Sequence, residues 1–310
     1  MRILVTGGAG FIGSNIVDAY IEGGHDVAVI DNLSSGKEDN VNPRARFYRL
    51  DIRSPEIDLV FAKEKPDVLN HHAAQIDVRR SVSDPTFDAS VNIIGTIGLL
   101  QACLKHGVGR FIFASSGGAI YGEPQNLPAD EDIPLDPLAP YGASKVAGEY
   151  YLSCYSALYS LKYTALRYGN VYGPRQDPYG EAGVIAIFCQ AMIDGEEVRI
   201  FGSGEQLRDY IYVGDVVQAN LLALERGDNQ DINIGTAMGT SVNELFMRLK
   251  AILDYKKDAV YYPPRQGELE KIYLANAKAL EVLGWQSQVD IQRGLELTAE
   301  YFKERSELTI

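Results

Sequence analysis

The stretch VTGGAGFIGSNIV, residues 5–17, decides the fold. An apolar run enters a cluster of glycines and resumes as a helical pattern, which reads as strand, tight turn and helix. Gly8, Gly10 and Gly13 fit G-x-G-x-x-G, and Gly7, Gly10 and Gly13 fit the looser G-x-x-G-x-x-G. Glycine reaches backbone angles closed to other residues. Missing side chains let a diphosphate approach the main chain. The helix start offers that anion unpaired N–H groups and a positive dipole end. The strand–turn–helix setting separates a dinucleotide site from a mere tight turn.

Asp31 ends the next strand, about 20 residues on, where a carboxylate accepts from a ribose 2′-OH and repels a 2′-phosphate. That favours NAD over NADP. Asp31 can also cap a turn with Asn32, and the two roles are compatible. Asp51 ends the third strand and either reads the adenosine or forms a turn.

From this start the pattern alternates. Strands are expected at 3–6, 26–31, 46–51, 67–72, 109–115 and 163–169, most of them short apolar runs of the kind buried on both faces. Helices are expected at 11–22, 54–63, about 84–106 and 141–160. The implied fold is α/β, a doubly wound parallel sheet (Rossmann-type) with a smaller C-terminal α/β substrate domain. The first domain spans 1–169 with a returning segment at about 206–234, since YIYVGDVVQANLLAL (210–224) again reads as strand then helix. The second takes 170–205 and 235–310, with helices near 183–193, 241–253 and 290–305. Helices 84–106 and 141–160 are apolar nearly all round. A helix packed on its own sheet needs one apolar stripe, so a homodimer through these two helices is expected.

A net charge of −13 over 310 residues argues against nucleic acid as the main partner. No apolar run is read as membrane-spanning, and the N-terminus leaves no room for a signal peptide. Cys103, Cys154 and Cys189 have no CxxC spacing and read as reduced core residues of a cytoplasmic protein. No metal site is expected. His71 and His72, adjacent on a strand, face opposite sides.

The segment PYGASKVAGEYY, residues 140–151, opens a helix with Pro140 in its first turn. Tyr141 and Lys145, four apart, share a face. A nearby ammonium favours the phenolate and is expected to lower the tyrosine pKa. The pair is otherwise a common surface arrangement.

Taken in order, TGGAGFIGS, Asp31, Asp51–Ile52, the serines of FASSGGAIYG and YGASK resemble the extended short-chain dehydrogenase/reductase family. Within it the chain is most similar to the UDP-glucose 4-epimerases and their nucleotide-sugar relatives. The likeness continues through RYGNVYGPRQ (167–176), GSGEQLRDYIYVGDV (202–216) and PPRQGELEKIYLANAKA (263–279). It implies NAD-dependent 4-epimerisation of a UDP-hexose through a transient 4-keto sugar. Tyr141 then resembles the catalytic tyrosine and Lys145 the lysine that holds the nicotinamide ribose. Ser116 resembles the hydroxyl that orients the sugar, with Ser115 a second candidate because two glycines lengthen the loop.

Further cofactor contacts implied by the resemblance are Gly7, Gly10, Phe11, Ile12, Gly13, Asp31, Asn32, Ser34, Ser35, Gly36, Asp51, Ile52, Ala73, Ala74, Gln75, Asn92 and Tyr168. Implied substrate contacts are Asn170, Phe201, Arg208 and Arg265, with Arg175 a weaker candidate. Two arginines match a diphosphate, which guanidinium groups grip in a fork. Ile272 aligns with a position that influences acceptance of a 2-acetamido group. Among the rivals, a 4,6-dehydratase needs an acid–base pair where this chain has Gly117 and Gly118. A UDP-glucuronate 4-epimerase or decarboxylase stays open at this level, as does the preferred sugar pair. A non-enzymatic dinucleotide sensor need not keep Tyr141, Lys145 and a strand-end serine together.

Overall fold

The computed structural model describes residues 1–179, 183–264 and 269–307. Six of the expected strands form: β1 (Arg2–Thr6), β2 (Asp26–Asp31), β3 (Arg46–Arg49), β4 (Val68–His71), β5 (Arg110–Ser116) and β6 (Lys162–Tyr168). With Gln230–Ile234 they make one seven-stranded sheet, ordered β3, β2, β1, β4, β5, β6 and then 230–234. Every pairing is parallel. The connecting helices are α1 (Phe11–Glu22), α2 (Ile57–Glu64), α3 (Val78–Ser83), α4 (Pro85–Ala89), α5 (Gly95–His106), α6 (Gly117–Ile120), α7 (Pro140–Tyr159), α8 (Val184–Ile193) and α9 (Val213–Ala223).

The strands are apolar because both faces are covered. On one face Ile16 and Val17 of α1 and Val216 and Val217 of α9 pack with Val5, Val29 and Ile112. On the other, Phe61 of α2, Leu99 and Leu100 of α5 and Leu152 of α7 pack with Leu4, Ile30 and Phe111. A third cluster joins α8 to the helices Val242–Ile252 and Ile291–Glu307. Strand order reverses between β1 and β4, so the carboxyl ends of β1, β2, β4, β5 and β6 converge beside a crevice, the usual ligand position in such sheets.

Four local expectations change. Tyr210–Tyr212 does form a strand, but it pairs with Asn170–Tyr172 outside the main sheet. Gly169 permits this, since a Cβ there would lie 2.8 Å from the carbonyl oxygen of Asp209. The strand that returns to the sheet is Gln230–Ile234, while α9 packs on α1, with the Tyr20 hydroxyl donating to the Asn220 carbonyl at 3.3 Å. The helix expected at 84–106 is interrupted by a wide π-helical turn, Ser90–Ile94, which turns Asn92 inward. By length and composition the run Pro85–His106 is apolar enough to cross a membrane, contrary to the sequence reading. Here its α5 half is packed against the sheet and its α4 half buries Asp88. Finally, Cys103 and Cys189 are buried and unpaired, but Cys154 is exposed on α7.

The turn between β1 and α1 tolerates no added carbon at Gly13, where a Cβ would sit 2.2 Å from the Gly7 carbonyl oxygen. Gly13→Ala should therefore cost about 1–3 kcal/mol of stability. Gly98→Ala, on an exposed part of α5 with nothing near its Cβ, should be neutral or stabilising by up to about 1 kcal/mol. Urea midpoints of the two variants check the contrast.

Candidate active site

Gly7 leaves β1 in a left-handed conformation, φ 73°, and a Cβ there would strike the Ala73 amide nitrogen at 2.5 Å. Gly10 precedes α1, and no side chain caps that helix start. Phe11 and Ile12 form the partly buried first turn. The positive helix end thus faces a concave turn built of backbone, a setting that stabilises an anion. Asp31 closes the turn from the side. Its carboxylate accepts from the Ala9 and Leu33 amides at 3.0 and 2.8 Å, while burial pushes its pKa up. A Cβ on Gly36 would come within 3.0 Å of the same carboxylate.

The exposed loop beyond, with Asn32, Ser34 and Ser35, is held by an Asn32–Asp51 bond of 3.0 Å. Asp51 is gripped by Arg53 through two bonds of 2.8 Å, and that guanidinium holds its carboxyl well below the usual range. Ile52 is buried against Gly95. Ala73 and Ala74 follow β4, partly buried, opposite the glycine turn.

Tyr141, Lys145 and Ser116 come together at the end of β5. The Tyr141 amide donates to the Ser81 hydroxyl of α3 at 3.1 Å, which ties down the start of α7. The Ser116 hydroxyl lies near the Tyr141 phenol, close enough to favour its ionised form. The Lys145 ammonium donates to the Ala114 carbonyl at 2.8 Å and lies 5.8 Å from the centre of the Tyr141 ring. Ser115 points elsewhere: its hydroxyl donates to buried Glu149 at 2.6 Å. The two serines that the sequence left open are thus separated by geometry.

The expected direction of the tyrosine shift is not what the chain alone produces. Burial pushes the Tyr141 phenol up to about 12, the Ser116 hydroxyl opposes this, and the charge of Asp88 adds to it. Lys145 does not reverse the balance. Burial lowers its own pKa to about 8, against the raising effect of Asp88 and Glu149.

Gln75 and Asn92 meet, but through a mutual exchange of bonds. The Gln75 amide donates to the Asn92 side-chain oxygen at 2.9 Å, and the Asn92 amide group donates back to the Gln75 carbonyl at 2.9 Å. Both also donate to Asp88, at 2.9 and 3.1 Å, and Asn92 reaches Ser144 of α7 at 3.2 Å. Asp88 and Ser144 were not read from the sequence. A carboxylate one turn before Asn92 in an otherwise apolar helix was the available signal. The Tyr168 hydroxyl lies in the core between His72, 3.1 Å, and Asn220, 2.8 Å.

On the second side of the crevice, Asn170 is exposed and its side-chain oxygen lies 3.4 Å from where Gly118 would carry a Cβ. Phe201 stands 5.8 Å from the ring of Tyr262, next to Gly202 with φ 74°. The Arg208 guanidinium donates to the carbonyls of Leu269 and Leu207 at 2.6 and 2.9 Å. Arg265 lies outside the described residues. Arg175 pairs with Asp18 of α1 at 2.6 Å. Ile272 is buried, packed with Ile120, Tyr121 and Leu274.

Residues 3–235 match the model of the NAD dependent epimerase/dehydratase family. A putative UDP-glucose 4-epimerase of Methanocaldococcus jannaschii is 49% identical over 97% of this chain and 98% of its own length. The UDP-glucose 4-epimerase of Mycolicibacterium smegmatis is 45% identical over 99% of this chain and 100% of its own. Among solved structures, the UDP-glucose 4-epimerase of Thermotoga maritima with UDP-glucose superposes with a TM-score of 0.97 at 54% identity, covering 99% of this chain and 100% of that one. The Thermus thermophilus UDP-glucose 4-epimerase in complex with NAD superposes with a TM-score of 0.94 at 45% identity, covering 98% and 99%.

The buried Lys145 has a direct consequence for stability. Its folded pKa of about 8 lies below the unfolded value of 10.5, so at pH 7 the fold must hold a charge that burial disfavours. That penalty, about 3 kcal/mol at 1.36 kcal/mol per unit, shrinks as pH rises from about 8 towards 10.5. Lys145→Met removes the 2.8 Å bond to the Ala114 carbonyl, a cost of about 1–2 kcal/mol. The variant should still unfold with about 1–2 kcal/mol more free energy at pH 7, and the gain should fade by pH 10. Urea titrations at the two pH values check it, and a destabilised variant at pH 7 would contradict it.

Proposed function

The chain belongs to the NAD dependent epimerase/dehydratase family, and we infer that it interconverts UDP-glucose and UDP-galactose by NAD-dependent 4-epimerisation. It is an isomerase. The observation that carries the chemistry is the convergence of Tyr141, Lys145 and Ser116 at the carboxyl end of β5, with the Lys145 ammonium held by the Ala114 carbonyl at 2.8 Å and 5.8 Å from the Tyr141 ring centre.

The residues present fit NAD: a Cβ at Gly7 or Gly13 would strike backbone, α1 opens without a side-chain cap, and the Asp31 carboxylate ends β2 beside that turn. Gly7, Gly10, Gly13, Phe11 and Ile12 would hold the diphosphate, and Asp31 through Gly36, with Asp51 and Ile52, the adenosine. Ala73, Ala74, Gln75, Asn92 and Tyr168 would line the path to the nicotinamide. When bound, NAD supplies the acceptor and donor of hydride at C4 and a positive ring whose charge opposes the burial that raises the phenol.

Tyr141, ionised, takes the proton of the sugar 4-hydroxyl; after the 4-keto sugar has turned over in the crevice to present the other face of C4, Tyr141 returns the proton to the same oxygen. Ser116 orients that oxygen and donates to it as the carbonyl develops. Lys145 is the cation that the chain itself sets beside the phenol. Arg208 and Arg265 would grip the diphosphate, Asn170 the sugar side and Phe201 the uracil. The dehydratase reading is disfavoured by space as well as by sequence. A Cβ at Gly117 would fall 2.4 Å from Leu274 Cδ1, so a side chain there requires Leu274 to shift.

We assign residues 1–169 and about 206–234 to cofactor binding and 170–205 with 235–310 to the nucleotide sugar. The chain acts as a cytoplasmic homodimer on this reading. Ile94, Tyr150, Tyr151, Leu158 and Tyr159 remain exposed on neighbouring helices, an apolar surface that a second copy would cover.

Purified protein given UDP-galactose without added oxidant should form UDP-glucose, and an unchanged sample would defeat the assignment. Tyr141→Phe should lower turnover roughly 10²–10⁴-fold while bound NAD is retained. The double change Tyr150→Glu and Leu158→Glu should halve the mass seen by light scattering, leaving far-UV circular dichroism unaltered. A dimer that persists would rule out this interface.

A further inference from the structure

Beyond the three groups assigned above, α7 grips the end of β5 with one stripe of side chains spaced four residues apart. Tyr141 meets Ser116, Lys145 meets the Ala114 carbonyl at 2.8 Å, and Glu149 meets the Ser115 hydroxyl at 2.6 Å. Three successive residues of the strand are held by positions i, i+4 and i+8 of one helix, which lie on a common face.

The Glu149 grip is unusually firm. Both partners of the Glu149–Arg167 pair are buried, with side chains only 3% and 4% exposed. Arg167 Nη2 donates to Oε2 at 2.7 Å, and its Nε donates at 3.0 Å to the oxygen that also accepts from Ser115. Arg167 stands directly across from Ser115 on β6, and its remaining nitrogen donates to the Tyr121 hydroxyl at 2.8 Å. Tyr121 in turn donates to Asn233 on the seventh strand at 2.8 Å. Burying such a pair costs several kcal/mol of desolvation, and apolar side chains would pack at least as well. A buried ion pair that binds a third group in one geometry specifies position more than it adds stability.

We propose that the Ser115–Glu149 hydrogen bond, locked by Arg167, is a positioning device that aims the Ser116 hydroxyl at Tyr141. This rests on the epimerase reading above. Ser115 touches no reacting atom; its hydroxyl sets the last peptide of β5, and that peptide sets the direction of Ser116. Rotation of Ser115 away from Glu149 would leave Ser116 in place along the chain but free to miss the sugar oxygen.

Glu149→Gln removes the carboxylate that meets Arg167 at 2.7 Å and leaves it only the longer 3.6 Å pairing with Asp231, so it is expected to destabilise the fold strongly, and the test uses Ser115. Ser115→Ala should lower kcat for UDP-galactose about tenfold or more. KM should stay within about twofold, and NAD content and melting temperature close to wild type. Ser115→Thr, which keeps a hydroxyl on a strand that suits it, should recover most of the lost kcat. Wild-type kcat in Ser115→Ala would overturn the proposal while leaving the epimerase reading intact. So would a loss shared by KM and NAD content, or a threonine variant no better than alanine. A wild-type protein that does not convert UDP-galactose would overturn both.

Discussion

A Cβ on Gly13 would lie 2.2 Å from the carbonyl oxygen of Gly7, and one on Gly7 would lie 2.5 Å from the Ala73 amide. The start of α1, the end of β1 and the segment after β4 therefore meet at a separation only glycine permits. This contact sits where strand order reverses, and the crevice opens from it. Because every strand of the sheet is parallel, the same end collects Asp31, Ala73, Ser116 and Tyr168 from four strands distant in sequence. The glycine turn makes a setting suited to an anion; parallel pairing brings the strand-end side chains to the same end.

Buried polar groups gather at the carboxyl end of the sheet, each held by partners from other elements. Asp88, Asn92, Gln75 and Ser144 bond to one another across α4, the wide turn, the segment after β4 and α7. Glu149, Arg167, Ser115 and Tyr121 do the same across α7, β5 and β6. Each group left unpaired at this depth would cost about 1–3 kcal/mol. The two networks flank Lys145, whose pKa burial lowers against the raising effect of Asp88 and Glu149. A site arranged in this way gives up some stability for position.

Tyr141 shows why the electrostatics of one pair cannot be read in isolation. Two residues four apart predict a favourable ammonium–phenolate contact. In the fold, burial acts on both members, raising the phenol and lowering the lysine, and Asp88 contributes a charge from a different helix. The pair is assembled as expected, but the chain alone keeps the tyrosine protonated. The same distinction separates Ser115 from Ser116. Adjacent in sequence, they part in the fold, one hydroxyl toward Glu149 and the other toward Tyr141.

Much of this protein was legible from local chemistry. Glycine placement, apolar runs of strand length and their alternation with helical periods specify a doubly wound sheet, since each depends on residues close in sequence. The strand at 230–234 was not legible because three of its five residues, Gln230, Asp231 and Asn233, are polar, and the pairing of Tyr210–Tyr212 with Asn170–Tyr172 was not because a three-residue strand carries too little pattern to name its neighbour. The wide turn that turns Asn92 inward and the choice between two serines also arise only from packing. By itself, then, the sequence determined which groups could bind a dinucleotide and move a proton, because composition and spacing set a residue's chemistry. Tertiary structure alone decided which of them meet and at what pKa, because burial, hydrogen-bond partners and opposing charge come from segments far apart along the chain.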